Sequence, residues 1–179
     1  EQSEASEVAG PLLGPATVGQ TFYLDYHGLS AVGVALTAEE LPTSGELIFH
    51  LQVSGVDLLT QTVVLESLEG DVNQTFEFDP LTDVANQEAY FYLEQSSERQ
   101  DGAISVRGTI ADQYEEGMAI FQCLESSEVQ DLTFHLTYEP SLVEKVSIFI
   151  HRLAEDKPSF WGDTRLYMLI GGANLILLY

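Results

Sequence analysis

The feature that most constrains this chain is a period of two in its apolar residues, recurring in short runs. In "ELIFHLQV" Leu47, Phe49, Leu51 and Val53 point one way while Ile48, His50 and Gln52 point the other. The same alternation appears in "SAVGVAL" (Val32, Val34, Leu36), "TFEF" (Phe76, Phe78) and "AYFYLE" (Phe91, Leu93). It continues in "AISVRG" (Ile104, Val106) and "DLTFHLTY" (Leu132, Phe134, Leu136, Tyr138). Successive side chains of a strand face opposite ways, so each run predicts a strand with one buried face. Turn chemistry separates the runs: "YHGLS", "PTSG", "LEGD", "SSERQDG" and "YEEG". About eight strands without a helix between them predict an all-β fold, two antiparallel sheets packed as a jelly-roll-like β-sandwich over residues 17–139.

Both flanks of that region read differently. Residues 1–16, with Gly10-Pro11 and Gly14-Pro15, read as a flexible N-terminal arm. From Pro140 the period becomes helical: Leu142, Val146, Phe149 and Leu153 make a stripe that Val143 and Ile150 widen. Ser141 and Glu144 form a capping box at its start and Pro158 stops it, which predicts an amphipathic helix over 140–157, with a strand through "VSIFI" as the competing reading.

Residues 158–179 read as a membrane-proximal or transmembrane segment. Trp161 and Tyr167 are suited to a membrane interface, Arg165 is the last charge, and the fourteen residues from Leu166 to Tyr179 carry none. As a helix those fourteen would span about 21 Å, short of the ~20 residues a bilayer crossing needs. A truncated membrane helix is the first expectation, a docked or re-entrant helix and a final core strand the alternatives. "GGAN" would suit close packing against another helix, or a kink.

Charge divides the chain at the same place. Of 29 acidic and six basic residues, 25 acidic residues and only Arg99 and Arg107 precede Pro140, a net of −23; the remainder nets zero. Nucleic acid is not a partner of such a surface, because its affinity rests on Lys and Arg displacing counterions. The four cations before the apolar tail favour a cytoplasmic flank, but long acidic domains translocate regardless of nearby charge, and an external domain is the preferred reading. Cys123 is the single cysteine, which excludes an intrachain disulfide and reads as a small core residue. The chain starts at Glu1 without a signal peptide, which reads as a removed leader or a fragment.

The segments "VGQTFYLDYHGLSAVGVAL", "FEFDPL", "AYFYLEQSS", "ISVRGT", "DQYEEGMAIF" and "DLTFHLTY", in that order and followed by "LAEDKPSFWGDTRLYMLI", resemble the extracytoplasmic carbohydrate-binding-module-like β-sandwich of uncharacterised bacterial membrane-anchored envelope proteins. The resemblance implies a sandwich outside the cytoplasm, on the cell membrane, joined to a membrane helix. It brings no catalytic residues.

No motif for a reaction is present. His27, His50, His135 and His151 lack metal-ligand spacing, and there is no GxSxG, phosphate-loop or dinucleotide signature. His50 and His135, both outward, could meet across a sheet, although two unrelated surface histidines are the preferred reading. Carboxylates are too numerous for any pair to stand out as acid and base. No cofactor is expected, with calcium the one metal that turns such as "EGDVN" or "DQYEEG" could hold. Asn73-Gln74-Thr75 fits a glycosylation sequon, relevant only on a eukaryotic secretory route.

The candidate ligand-binding residues are tyrosines. Tyr90 and Tyr92 alternate with core-facing Phe91 and Leu93 and so lie on the outer face; with Tyr23 and Tyr26 they could form a platform on which sugar rings stack. Otherwise that face is covered by loops, the helix or a partner subunit. The leading expectation is a non-catalytic, membrane-tethered accessory or interaction domain, its partners membrane lipid and another membrane protein subunit. The alternative is a carbohydrate-binding module with a glycan partner, and a glycan-processing hydrolase comes third.

Overall fold

The structure is a computed structural model that describes residues 7–38, 44–68, 71–96, 102–112, 114, 116–124 and 128–139, together with residues 145, 146, 149 and 165. The chain divides into two compact units, Glu1–Glu139 and Pro140–Tyr179.

The first unit is all β. In chain order its strands are β1 (Glu7–Ala9), β2 (Thr17–Leu24), β3 (Leu29–Thr37), β4 (Glu46–Val53), β5 (Val56–Val64), β6 (Val72–Leu81), β7 (Gln87–Ser96), β8 (Ser105–Thr109), β9 (Ala119–Gln122), β10 (Asp131–Leu132) and β11 (Phe134–Tyr138), with a 3₁₀ turn at Leu65–Ser67. One antiparallel sheet runs β5-β4-β7-β2-β9. The other is centred on β3, which pairs with β6 along one edge and with β11 and then β8 along the other.

The alternation seen in the sequence is what joins these sheets. Leu47, Phe49, Leu51 and Val53 of β4, Val32, Val34 and Leu36 of β3, and Phe91 and Leu93 of β7 are all buried in a single hydrophobic cluster. Phe49 of one sheet stacks on Phe76 of the other at 4.2 Å between centroids, and Phe134 meets both Phe22 and Phe91 edge-on or tilted. Aromatic contacts of this kind add about 0.5–1.5 kcal/mol beyond the area they bury. The expected β-sandwich is thus built from the expected residues.

Among the buried polar residues, the amides of Gln20 and Gln95 are fully satisfied. Gln20 takes an inward position in β2 between Val18 and Phe22 and has no exposed surface. Its Nε2 donates to Asp131 Oδ1 (3.1 Å) and its Oε1 accepts the Leu132 N–H (2.9 Å), while Asp131 Oδ2 accepts the Tyr114 N–H (2.9 Å). Since β2 and β10 belong to different sheets, this clamp ties the two layers together. Gln95 similarly accepts the Ile104 N–H (2.9 Å) and donates to the Gly102 carbonyl (3.2 Å).

Several expectations are corrected. The arm 1–16 is structured from Glu7: β1 pairs with β8, and Ala9 and Leu12 are completely buried, because their side chains fill the core beneath that edge. Cys123 is exposed rather than in the core, since the chain leaves β9 through a left-handed backbone at that residue (φ 54°). His50 and His135 are not neighbours, in line with the preferred sequence reading, for β4 and β11 lie in different sheets. In the second unit Lys145, Val146 and Phe149 are helical and exposed, as is Arg165; the rest of the expected 140–157 helix and of 158–179, Trp161 and Tyr167 included, lies outside the described residues. Among the described residues no helix is long and apolar enough to cross a membrane.

Candidate functional site

The outer face of the five-stranded sheet can be built row by row from its register. In the central row Thr60 of β5 lies opposite His50 of β4, His50 opposite Tyr92 of β7, Tyr92 opposite Gly19 of β2, and Gly19 opposite Ile120 of β9. The next row towards the β4–β5 hairpin contains Asp57, Gln52, Tyr90 and Thr21. On the other side come Thr62, Ile48, Glu94, Thr17 and Gln122. Strand periodicity places all of these on one face, opposite the core.

Three rings converge there. The His50 imidazole lies parallel to the Tyr92 ring, 4.3 Å between centroids and 5° between planes, and Tyr92 continues to Tyr90 at 5.5 Å and 22°. Directly opposed residues on adjacent strands stand about 4.5–5.5 Å apart, the spacing that lets flat side chains stack. His50 is also fixed at both nitrogens, with Nε2 3.1 Å from Glu94 Oε1 and Nδ1 3.2 Å from Thr60 Oγ1. A neutral imidazole carrying its proton on Nε2 satisfies both contacts, donating to the carboxylate and accepting from the hydroxyl.

Gly19 makes room for this arrangement. A Cβ at position 19 would run into the Phe91 carbonyl of β7 and lie 2.7 Å from Tyr90 Cε2 and 2.7 Å from Tyr92 Cβ, so the β7 backbone and the tyrosines beside it occupy the space that a side chain on β2 would need. Both tyrosine hydroxyls have a pKa raised from its ordinary value. For Tyr90 burial is the main cause and Tyr92 the second; for Tyr92 burial leads, followed by the charges of Asp57 and Glu94. The rings are half-buried and present their remaining surface to solvent.

Polar groups surround the rings. Gln52 donates to Asp57 Oδ1 at 2.7 Å. Beside Tyr90 is a cleft of about 240 Å³ lined by Gln52, Ser54, Gly55, Glu88, Ala89 and Tyr90. Its rim is set by the β4–β5 hairpin, whose two turn residues, Ser54 (φ 51°) and Gly55 (φ 77°), both adopt the left-handed conformation that a two-residue hairpin requires. The Ser54 hydroxyl donates to Gln87 Oε1 (2.9 Å) and its N–H to the Glu88 carbonyl (2.9 Å), which pins the hairpin tip to β7. Near the far end of the face a second cleft of about 390 Å³ is bounded by Leu12, Leu13, Gly14, Ile48, Glu94, Gln95 and Ser96.

Of the four tyrosines proposed from sequence, Tyr90 and Tyr92 form the centre of the stack. Tyr23 shares their face, opposite Glu88, and its backbone is engaged by Tyr114: the Tyr23 N–H donates to the Tyr114 hydroxyl oxygen (3.1 Å). Tyr26 is elsewhere, in the β2–β3 loop, its ring edge-on to Tyr138 of the other sheet at 6.0 Å. His50 was legible as an outward residue but not as a member of this cluster, because only the β4–β7 register brings it to Tyr92.

His27 Nδ1 accepts the N–H groups of Val84 and Ala85 (3.1 and 3.2 Å), a loop-bracing role. His135 lies across Gly33 of β3. Among the described residues no group of three or more His, Cys, Asp or Glu side chains is placed to hold a metal ion. Asp71, the carboxylate of "EGDVN" that is described, is hydrogen-bonded by Thr37 and ion-paired with Arg107, and these two partners hold its carboxyl below the usual range.

No family model matches this chain, and no curated protein does. Among solved structures it is similar to a carbohydrate-binding module, CBM36, in complex with calcium and xylotriose. The identity is 12%, the match covers 65% of this chain and 93% of that one, and the TM-score is 0.33. The reading of the site therefore rests on this chain's own residues.

Proposed function

We propose that residues 7–139 form a non-catalytic glycan-recognition domain, a jelly-roll-like sandwich that binds sugars on the outer face of its β5-β4-β7-β2-β9 sheet. The observation that carries this reading is the His50–Tyr92–Tyr90 stack, open to solvent and ringed by planar hydrogen-bonding side chains. Sugars combine apolar C–H faces with hydroxyls that both donate and accept. Aromatic rings beside amides and carboxylates offer a partner for each, and tyrosine adds a hydroxyl to an apolar body. The rings are held before a ligand arrives, by strand register, by the two contacts to His50 and by the space left at Gly19, which lowers the entropy lost on binding.

Binding to a panel of immobilised oligosaccharides tests this. The domain is expected to retain a subset of neutral or basic glycans, and Tyr92→Ala, which removes the ring common to both stacking contacts, is expected to weaken retention at least about tenfold. Retention of nothing, or retention unaffected in Tyr92→Ala, refutes it. For the second unit, we propose attachment to the outer surface of a cell membrane, for which the support is the uncharged run 166–179 beyond Arg165. Flotation of the full chain with lipid vesicles, lost on deleting 158–179, is the expected result; a full chain that stays with the unbound fraction counts against it.

A further inference from the structure

The charges around the stack narrow the class of glycan. The five strands of this sheet contain Glu46, Asp57, Glu88 and Glu94 and neither Lys nor Arg. Register puts all four carboxylates on the outer face with the rings, Glu46 and Gln52 alternating with the inward residues of β4, and Glu88 and Glu94 flanking Tyr90 and Tyr92 on β7. An anionic sugar laid across the stack would meet these carboxylates with no cation of the sheet to offset them, whereas a cationic one would be attracted.

The carboxylates differ in availability. Glu94 is engaged by His50, and Asp57 accepts from Gln52. Glu88 is exposed, and among the described residues no hydrogen bond or ion pair engages its side chain. It lines the 240 Å³ cleft beside Tyr90, two residues along the same strand and on the same face. A drug-sized ligand usually occupies about 300–1,000 Å³, so this cleft suits one sugar unit at the end or edge of a longer chain.

We propose that the face selects glycans carrying protonated amines, oligosaccharides of glucosamine type, with Glu88 holding the amine next to the Tyr90 ring. This rests on the glycan-recognition reading above. An ammonium in that position contacts a carboxylate on one side and the π-face of a tyrosine on the other, and attraction of cations to the ring face adds to the ionic contact. Acetylation of the amine would remove both, and a uronic acid would reverse the sign.

Calorimetric titration of the full chain with matched β-linked oligomers of glucosamine, N-acetylglucosamine, glucose and galacturonic acid, at slightly acidic pH where the amine is charged, separates the two levels. The glucosamine oligomer is expected to bind tightest, to lose affinity as salt is raised, and to exceed the glucose oligomer about fivefold, the scale of one half-exposed ionic contact. Glu88→Gln is expected to bring that ratio close to one. Asp79→Asn, which removes the same charge from the other sheet, is expected to leave it unchanged. Equal affinity for glucosamine and glucose oligomers, tighter binding of galacturonate, or a ratio that falls as far in Asp79→Asn as in Glu88→Gln overturns charge selection at Glu88 while leaving glycan recognition standing. Binding of none of the four oligomers overturns both.

Discussion

The clamp between Gln20 and Asp131 is the point where a single substitution should most damage the sandwich without touching an apolar contact. Asp131→Ala removes Oδ1, which accepts from Gln20 Nε2, and Oδ2, which accepts from the Tyr114 N–H. Hydrogen bonds to a carboxylate contribute about 1.5–3 kcal/mol each, so the substitution should lower stability by about 3–5 kcal/mol. The change is large because Gln20 is fully buried: its amide keeps the Thr21 carbonyl at 3.2 Å, but water cannot replace the lost acceptor without entering the core. Against a typical total of about 5–15 kcal/mol, much of the fold's margin would be lost.

Gln20→Ala should lower stability by about 2–4 kcal/mol through the Leu132 N–H, which loses its acceptor, and through the bond to Asp131. Because the two residues share that bond, their effects should not add. Equilibrium urea unfolding of the wild type, both single variants and the double variant, followed by far-UV circular dichroism, gives the coupling energy. About 1–3 kcal/mol is expected for residues in direct contact. Additive effects, or an Asp131→Ala variant within about 0.5 kcal/mol of wild type, would refute the claim that this pair joins the sheets.

Two further outcomes follow from the site and its surroundings. Gly19→Ala should lower stability by about 1–3 kcal/mol, as overpacking does, and should alter the near-UV tyrosine signal, because the new Cβ would run into the Phe91 carbonyl of β7 and press on Tyr90 and Tyr92, so the strand that carries both rings must shift; an unchanged spectrum and melting temperature would show that the space is not needed. Tyr138 has a folded pKa pushed up to about 12, chiefly by burial and then by Asp25, Tyr114 and Tyr26. Its unfolded value is about 10, so the stability it contributes is intact below that pH and is lost as pH rises towards the folded value. A titration of tyrosinate absorbance should show a late-ionising component to which Tyr90 and Tyr92 also contribute, and which shrinks in Tyr138→Phe.

Much of the fold was legible because burial imposes its period directly on the sequence. Leu51 between His50 and Gln52, or Phe91 and Leu93 among Tyr90, Tyr92 and Glu94, could face only the core once their neighbours carried polar groups. Strands that lack that contrast were harder to see. β5 is a two-sided run, "VDLLTQTVV", at the edge of its sheet, where most residues remain exposed and the pairing shifts register opposite Leu51 and Gln52. β1 was hidden by its brevity and by Pro11, although Ala9 and Leu12 enter the core. Gln20 did leave a signal, a lone amide in the inward series Val18, Phe22 and Leu24, but its partner is 111 residues away.

The site was legible by half. Alternation placed Tyr90, Tyr92 and His50 outward, and this is where they are. Which outward residues meet depends on strand order: β4 and β7 are separated by two strands in the sequence and adjacent in the sheet. The same dependence moved Tyr26 away from the group, since the chain turns towards β3 and the other sheet immediately after β2.

The claim that matters most is that the stacked rings are a binding surface. Nuclear magnetic resonance on the full chain, following the ring signals of His50, Tyr90 and Tyr92 during titration with a β-linked glucosamine or glucose oligomer, tests it at the residues themselves. Saturable shifts are expected at these three rings, with the Phe49 and Phe76 rings of the core unchanged. Saturable shifts confined to other residues, or none at any oligomer concentration, would contradict it.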